Sequence, residues 1–330
     1  MSGSPNRESP ERELSSSVFE GTEKKVELVV SPDHPPLREF GETRWRRVVE
    51  RSGARVLSKI SSDACDAYLL SESSLFVFDD HVTMITCGQT TLIDGIVEML
   101  EFIDRDRIQV LVFERKNEHF PERQPTTFLD DAARLNRLIP GRAYRFGSAY
   151  DHRVQMFLSN QAYSPEPDDT TLEVLMHDID EEASARFEAS TQGGASLAER
   201  TGLARIFPGF TLDEHRFDPS GYSLNALDRD RYYTVHITPQ SVASYVSFET
   251  NDDFRGRARP LIAEVIQLFR PRSVDVVSFL PEGTIEATLP GYFRRNHLHQ
   301  RFDCGYDVTF LQFVQTENET PITRPLEIPL

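Results

Sequence analysis

One local pattern occurs twice in this chain, a helix leading directly into an apolar strand, and it limits the possible folds more than any other feature. Residues 91–103 carry Leu92, Ile93, Ile96, Val97 and Leu100 at helical spacing. Asp94, Glu98 and Glu101 fall on the opposite, outward face, and Thr90 or Thr91 is placed to cap the first turn. An apolar strand over 108–113 follows. Much later, Leu261, Ile262, Val265, Ile266 and Phe269 repeat the helical stripe within 260–269 and lead into a second strand, 274–279. Each stripe needs a sheet to cover it, so the repetition predicts two related halves, joined near the Pro- and Asp-rich stretch 164–169. Strand patterns fill the rest: 26–30, 67–70, 75–78 and 81–86 in the first half, and 222–227, 232–238 and 244–249 in the second. Residues 31–36 read as a loop, and 43–51 as a short helix carrying Trp45, Val48 and Val49. Tight breaks such as Asp79-Asp80 make the neighbouring strands antiparallel. The expected class is α+β.

Charge then narrows the partners. A formal net charge of −17 repels phosphate backbones and anionic lipid, which points away from nucleic acid and membrane. The arginines around Trp45 (Arg44, Arg46, Arg47, Arg51) and the basic run 294–301 read as solvated faces rather than sites. An acidic field favours a cationic small molecule instead. The cysteines Cys65, Cys87 and Cys304 show no metal-ligand spacing, so no metal site and no disulfide framework are expected, and a reducing compartment fits. No apolar run reaches membrane-spanning length and the polar start lacks a signal-peptide core, which predicts a cytosolic protein. Residues 1–17 and 317–330 have few apolar anchors and are expected to be disordered tails around a domain spanning 18–316.

The segment Leu-Ser-Glu-Ser-Ser at 70–74 is, on its own, a polar turn between two apolar strands. It has a second reading. A serine held in backbone strain can attack the preceding carbonyl with its hydroxyl and exchange the amide for an ester. Elimination then leaves a ketone in its place, which can condense with a substrate amine and accept the electron pair released when carbon dioxide departs.

Six motifs decide between the two readings. Phe-Glu-Gly-Thr-Glu-Lys at 19–24, Tyr-Leu-Leu-Ser-Glu-Ser-Ser-Leu-Phe-Val at 68–77, Thr-Cys-Gly at 86–88, Gly-Tyr-Ser-Leu-Asn at 221–225, His-Ile-Thr-Pro at 236–239 and Ser-Tyr-Val-Ser-Phe-Glu-Thr-Asn at 244–251 occur in this order. Together they resemble the eukaryotic S-adenosylmethionine decarboxylases over about residues 19–313. The resemblance implies a four-layer α/β/β/α sandwich of two antiparallel sheets with helices outside, built from two similar halves. It also implies self-cleavage between Glu72 and Ser73 into a small and a large chain, with Ser73 becoming a covalent pyruvoyl cofactor. His236 and Ser223 match the residues that assist processing, and Cys87 matches the proton donor to the substrate α-carbon. Such a donor must stay a thiol at working pH. Phe19 and Phe217 match the rings that sandwich adenine, Glu20 and Glu23 match acids of the active site, and Glu72 lies beside the substrate. Gln240 stands where the family commonly has a glutamate that accepts hydrogen bonds from the ribose hydroxyls. It can accept such a bond without charge assistance.

A second acidic site, which binds putrescine as an activator in animal members, is matched by Glu27, Asp169, Thr171, Glu173, Glu249, Phe279 and Tyr306. Ile85 and Val112 replace a lysine and an aromatic of that site. Lys25 falls where plant members place an arginine that supplies the cation internally. It either carries an ammonium into the acid cluster or points to solvent. The function implied is decarboxylation of S-adenosylmethionine to the aminopropyl donor for spermidine and spermine, with a homodimer of processed protomers as a candidate assembly. Two other readings stay open: a pyruvoyl decarboxylase for another amino acid, motivated by Gln240, and an inert subunit that regulates an active relative.

Overall fold

A computed structural model describes residues 19–188, 196–218, 220–240 and 243–316. The expected tails, 1–17 and 317–330, lie outside the described residues.

The first half contributes β1 (Lys24–Val30), β2 (Val56–Ser61), β3 (Asp66–Leu70), β4 (Ser73–Val77), β5 (His81–Thr86), β6 (Ile108–Lys116), β7 (Gly141–Gly147) and β8 (Arg153–Ser159). These form one antiparallel sheet in the order β2-β3-β4-β5-β1-β6-β8-β7. The second half contributes β9 (Thr171–His177), β10 (Thr211–Arg216), β11 (Tyr222–Asp228), β12 (Arg231–Thr238), β13 (Tyr245–Thr250), β14 (Ser273–Leu280), β15 (Tyr292–Arg301) and β16 (Asp307–Gln315). Their order, β10-β11-β12-β13-β9-β14-β16-β15, is the first order shifted by eight strands. One topology is therefore built twice, as the helix-strand repetition predicts.

Helices α1 (Glu42–Arg51), α2 (Leu92–Met99) and α3 (Phe128–Leu138) cover the outer face of the first sheet. There Trp45, Val48, Ile93, Ile96 and Leu135 pack in one core with Val26, Leu28 and Leu75. Helices α4 (Glu181–Glu188), α5 (Leu197–Thr201) and α6 (Ala258–Phe269) do the same on the second sheet, where Ile262, Val265 and Phe269 meet Val174, Val235 and Val276. Two further apolar clusters lie between the sheets, completing the four layers. The basic run 294–301 forms the exposed edge strand β15, whose charges discourage pairing with another chain. Among the described residues no helix is long and apolar enough to cross a membrane.

Three local expectations need correction. Helix α2 ends at Met99, not at 103, because the chain loosens into a turn that packs Phe102 against Phe40 and Trp45. Glu98 is buried rather than outward, since its carboxylate takes Arg47 at 2.8 Å and Arg51 at 3.6 Å from α1. Thr91 occupies the cap position without a side-chain bond, and Thr90 instead donates to the Cys87 carbonyl at 2.9 Å.

Candidate functional site

Strand alternation sets what fills the space between the sheets. Val26 and Leu28 of β1 face the helices, so Lys25 and Glu27 face the other sheet. On the same principle Glu114 and Lys116 of β6, Glu173 of β9, Asn225 of β11, Thr234 and His236 of β12, and Ser247 and Glu249 of β13 enter the interior. The result is a buried polar layer flanked by the two inter-sheet apolar clusters.

The 70–74 segment is a tight hairpin in which Leu70 pairs with Ser73 across Ser71 and Glu72. Ser73 has φ 121°, a region that residues with a side chain rarely adopt and that costs about 1–3 kcal/mol. Its hydroxyl is buried without a hydrogen-bond partner. The Glu72 carbonyl, the group this hydroxyl would attack, accepts the Cys87 backbone N–H at 3.0 Å. Burial pushes the Glu72 carboxyl up to about 7 against the pull of Arg55 and Lys24.

His236 and Ser223 come together as the motifs imply: Ser223 Oγ lies 2.9 Å from His236 Nδ1. The other imidazole nitrogen, Nε2, meets Thr234 Oγ1 at 2.8 Å and Ser74 Oγ at 3.2 Å. Ser74 also donates to Asn225 Oδ1 at 2.6 Å. Thus it is Ser74, facing inward by alternation, that reaches across to the histidine, and Ser73 is bonded to neither His236 nor Ser223. Burial drives the His236 pKa down to about 3, so the ring is neutral at physiological pH.

Cys87 follows β5 and is buried. Burial, then the charges of Glu72 and Glu23, push its thiol well above the ordinary value, while Lys24 opposes them. This meets the requirement for a thiol. Glu23 is itself raised to about 8, chiefly by burial and despite a 2.6 Å bond from Ser247. Glu20 differs: burial raises it, but His119, the Phe120 amide and Thr22 outweigh that and hold it below the ordinary range.

Gly88, at φ 66°, brings two further groups close. A Cβ there would meet Glu72 Oε2 at 2.9 Å and the Phe19 ring at 3.0 Å, so glycine lets both pack on this turn. Phe217 packs on Gly221 in the same way and edge-on against His215. Gln240 turns its carbonyl oxygen to the Phe19 backbone N–H at 2.9 Å.

In the acid cluster the ambiguity over Lys25 is resolved, because the side chain is only 2% exposed. Its ammonium lies 3.0 Å from both Glu173 and Glu249 and 3.9 Å from Glu27. Burial lowers the Lys25 pKa, but Glu173 and Glu249 reverse that and raise it well above the ordinary value. Lys25 pairs across the strands with Ile85 on one side and Glu114 on the other. Lys25 and Ile85 thus stand one strand apart in the same inward row. Beside it, Glu27, Asp169 and Thr171 line a cavity of about 420 Å³ together with Asp80, Asp168 and Tyr232. Tyr163 and Tyr306 both donate to Asp169 Oδ2, at 3.0 and 2.6 Å, and Phe279 stands edge-on to Tyr306.

The sequence reading missed Lys116 and Glu114. Lys116 bonds Glu114 at 2.7 Å and also Glu173, so a second lysine serves the cluster. Burial raises Glu27 and Glu114 to about 7, whereas the two lysines overcome burial at Glu173 and bring it down to about 2. Continuing the alternation of 108–113 by three residues would have placed both missed groups on the inner face. Asn225 and Thr234 were likewise legible as partners of Ser223 and His236 on the same strand faces. His119, which reaches Glu20 from a loop, left no signal.

The family model described as adenosylmethionine decarboxylase matches residues 16–314. The chain is 31% identical to the S-adenosylmethionine decarboxylase proenzyme of Dictyostelium discoideum, over 92% of this chain and 88% of that protein. It is 32% identical to the proenzyme of the same name from Leishmania donovani, over 96% of this chain and 90% of that one. The crystal structure of the Trypanosoma brucei AdoMetDC-delta26 monomer superposes with a TM-score of 0.57 at 23% identity, covering 74% of this chain and 99% of that one, a likeness of fold. With its doubled antiparallel sheets and the matched length of its sequence, the chain belongs to the adenosylmethionine decarboxylase family.

Proposed function

We propose that this chain cuts itself at Glu72-Ser73 and then decarboxylates S-adenosylmethionine. The observation that carries the reading is Ser73, a buried and unpartnered hydroxyl on a backbone at φ 121°. Attack of Ser73 Oγ on the Glu72 carbonyl carbon relieves that strain. The developing oxyanion keeps the Cys87 N–H as a donor. The Ser73 nitrogen takes a proton as its bond to the Glu72 carbon breaks, which leaves an ester. Loss of the Ser73 α-proton then breaks the Cβ–O bond and releases residues 1–72 with a free carboxylate. Water replaces the nitrogen, which leaves as ammonia, and a ketone begins the chain 73–330. His236 is the neutral base of this site and lies one residue away against Ser74, its Nδ1 fixed by Ser223.

The residues present fit a pyruvoyl group at position 73, which supplies an electron sink for the carboxylate's bonding pair when the substrate amine is attached. The chain's own groups do the rest. Phe19 and Phe217 offer flat faces for adenine, and Gln240 positions Phe19. Glu20, charged, faces the cationic substrate, and a cation entering beside Glu23 would draw its proton off. Cys87, kept as a thiol, returns the proton to the α-carbon. Lys25 acts as an internal cation in the acid layer, where a diamine such as putrescine would otherwise serve.

Intact-mass analysis of the purified protein tests the first step. Wild type should give two chains meeting at 72/73, the larger beginning with a pyruvoyl group, and Ser73→Ala should remain one inactive chain. Cleavage of Ser73→Ala at this bond, or an uncut wild type, would overturn the proposal.

A further inference from the structure

Away from the acid layer, the inter-sheet space holds a second polar cluster. His152 lies in the turn that leads from β7 into β8 of the first sheet, while His177 ends β9 and Asp275 lies on the adjacent β14 of the second. His152 Nδ1 is 3.4 Å from Asp275 Oδ2, and His177 Nε2 is 3.5 Å from the same oxygen. One donor atom from each residue lies within 4.8 Å of those of the other two.

These separations are long for charge-assisted hydrogen bonds, which close to about 2.7–2.9 Å. They match the spacing of about 3.4 Å between neighbouring ligand atoms when bonds of about 2.0–2.1 Å converge tetrahedrally on zinc. Hydrogen bonding is correspondingly poor. Beyond these long contacts to Asp275 Oδ2, both nitrogens of His177, His152 Nδ1 and Asp275 Oδ1 are buried without a well-formed hydrogen bond. His177 is 2% and Asp275 1% exposed, so water does not satisfy them from bulk. Unsatisfied donors and acceptors this deep are costly unless something else binds them.

We propose that His152, His177 and Asp275 bind one divalent transition-metal ion of the zinc class, which ties the first sheet to the second. Two imidazole nitrogens and one carboxylate oxygen suit zinc or its first-row neighbours better than calcium or magnesium, which prefer all-oxygen shells. A tetrahedral ion would carry water in the fourth position. Aromatic rings wall the cluster: the His119 ring packs edge-on to His177 at 5.8 Å, and the Tyr245 ring lies 5.2 Å away. Since His119 also bonds Glu20, ordering His177 would steady a wall of the substrate site. His152 is the least buried of the three and provides the way in. Sequence spacing hides such a site because its ligands are distant in the chain and meet only between sheets.

Cobalt(II) is the probe, because a four-coordinate ion absorbs strongly in the visible. Chelator-treated, full-length processed protein should take up about one Co²⁺ per chain with those bands, and zinc should displace it and raise Tm. His152→Gln, at the part-exposed ligand, should fold, lose the bands and weaken binding by tenfold or more. Asp275→Asn should do the same wherever it still self-cleaves. Absence of bands and of stoichiometric uptake in wild type, or uptake by His152→Gln indistinguishable from wild type, overturns the site.

Discussion

Lys25→Met removes one charge and almost no volume from the most crowded part of the polar layer. In the wild type the ammonium is 3.0 Å from Glu173 and from Glu249, and all three are nearly inaccessible to water. After substitution Glu173 keeps Lys116, but Glu249 keeps only the Tyr232 hydroxyl, at 2.6 Å. Removing one partner of a buried pair costs about 3–5 kcal/mol, because the remaining charge stays desolvated. At roughly 1.5 °C per kcal/mol for a chain of this size, Tm should fall by roughly 4–8 °C near pH 8. The pH dependence has a definite sign. Burial already raises Glu249 above its ordinary 4.5, and loss of Lys25 raises it further. A carboxyl raised in the folded state contributes stability below its unfolded pKa and loses it as pH rises through the folded one. The deficit should therefore be small below pH 4.5 and widen towards alkaline pH. Thermal melts of both proteins across this range, with and without millimolar putrescine, provide the assay, with turnover measured in parallel. Putrescine should stabilise and activate the mutant while changing the wild type little, because a tethered cation carries no association cost. A mutant as stable as wild type at pH 8, or strong activation of the wild type by putrescine, would refute an internal cation.

Cys87→Ala should still self-cleave, yet decarboxylate about 10²–10⁴-fold more slowly, with faster inactivation by wrong-site protonation, as read by intact mass and steady-state turnover. Unchanged turnover would remove Cys87 from proton delivery. Glu23→Gln should flatten the decline of stability between pH 4.5 and about 8, because Glu23, raised to about 8, holds a proton that the unfolded chain has released over that interval. Denaturant melts at fixed pH steps measure this slope, and an unchanged slope would mean that Glu23 ionises normally.

Local chemistry made much of this legible in the sequence. The stripes at 92–100 and 261–269 fixed two helices, each needing a sheet, and the doubled pattern foretold two sheets of one topology. Six ordered motifs named the candidate site residues, and strand alternation would have paired Ser223 with Asn225 and Thr234 with His236. Tertiary structure alone decided what depends on the distance between sheets. Lys25 could have reached solvent by the same alternation that turns it inward, and only the opposite sheet, with Glu173 and Glu249, makes its burial tolerable. Strain at Ser73 is a property of a hairpin closed over a neighbouring backbone, and no residue type announces it. The sheets bring together His152, His177 and Asp275 from positions far apart in the chain, because side-chain period is written locally while sheet packing is a long-range outcome.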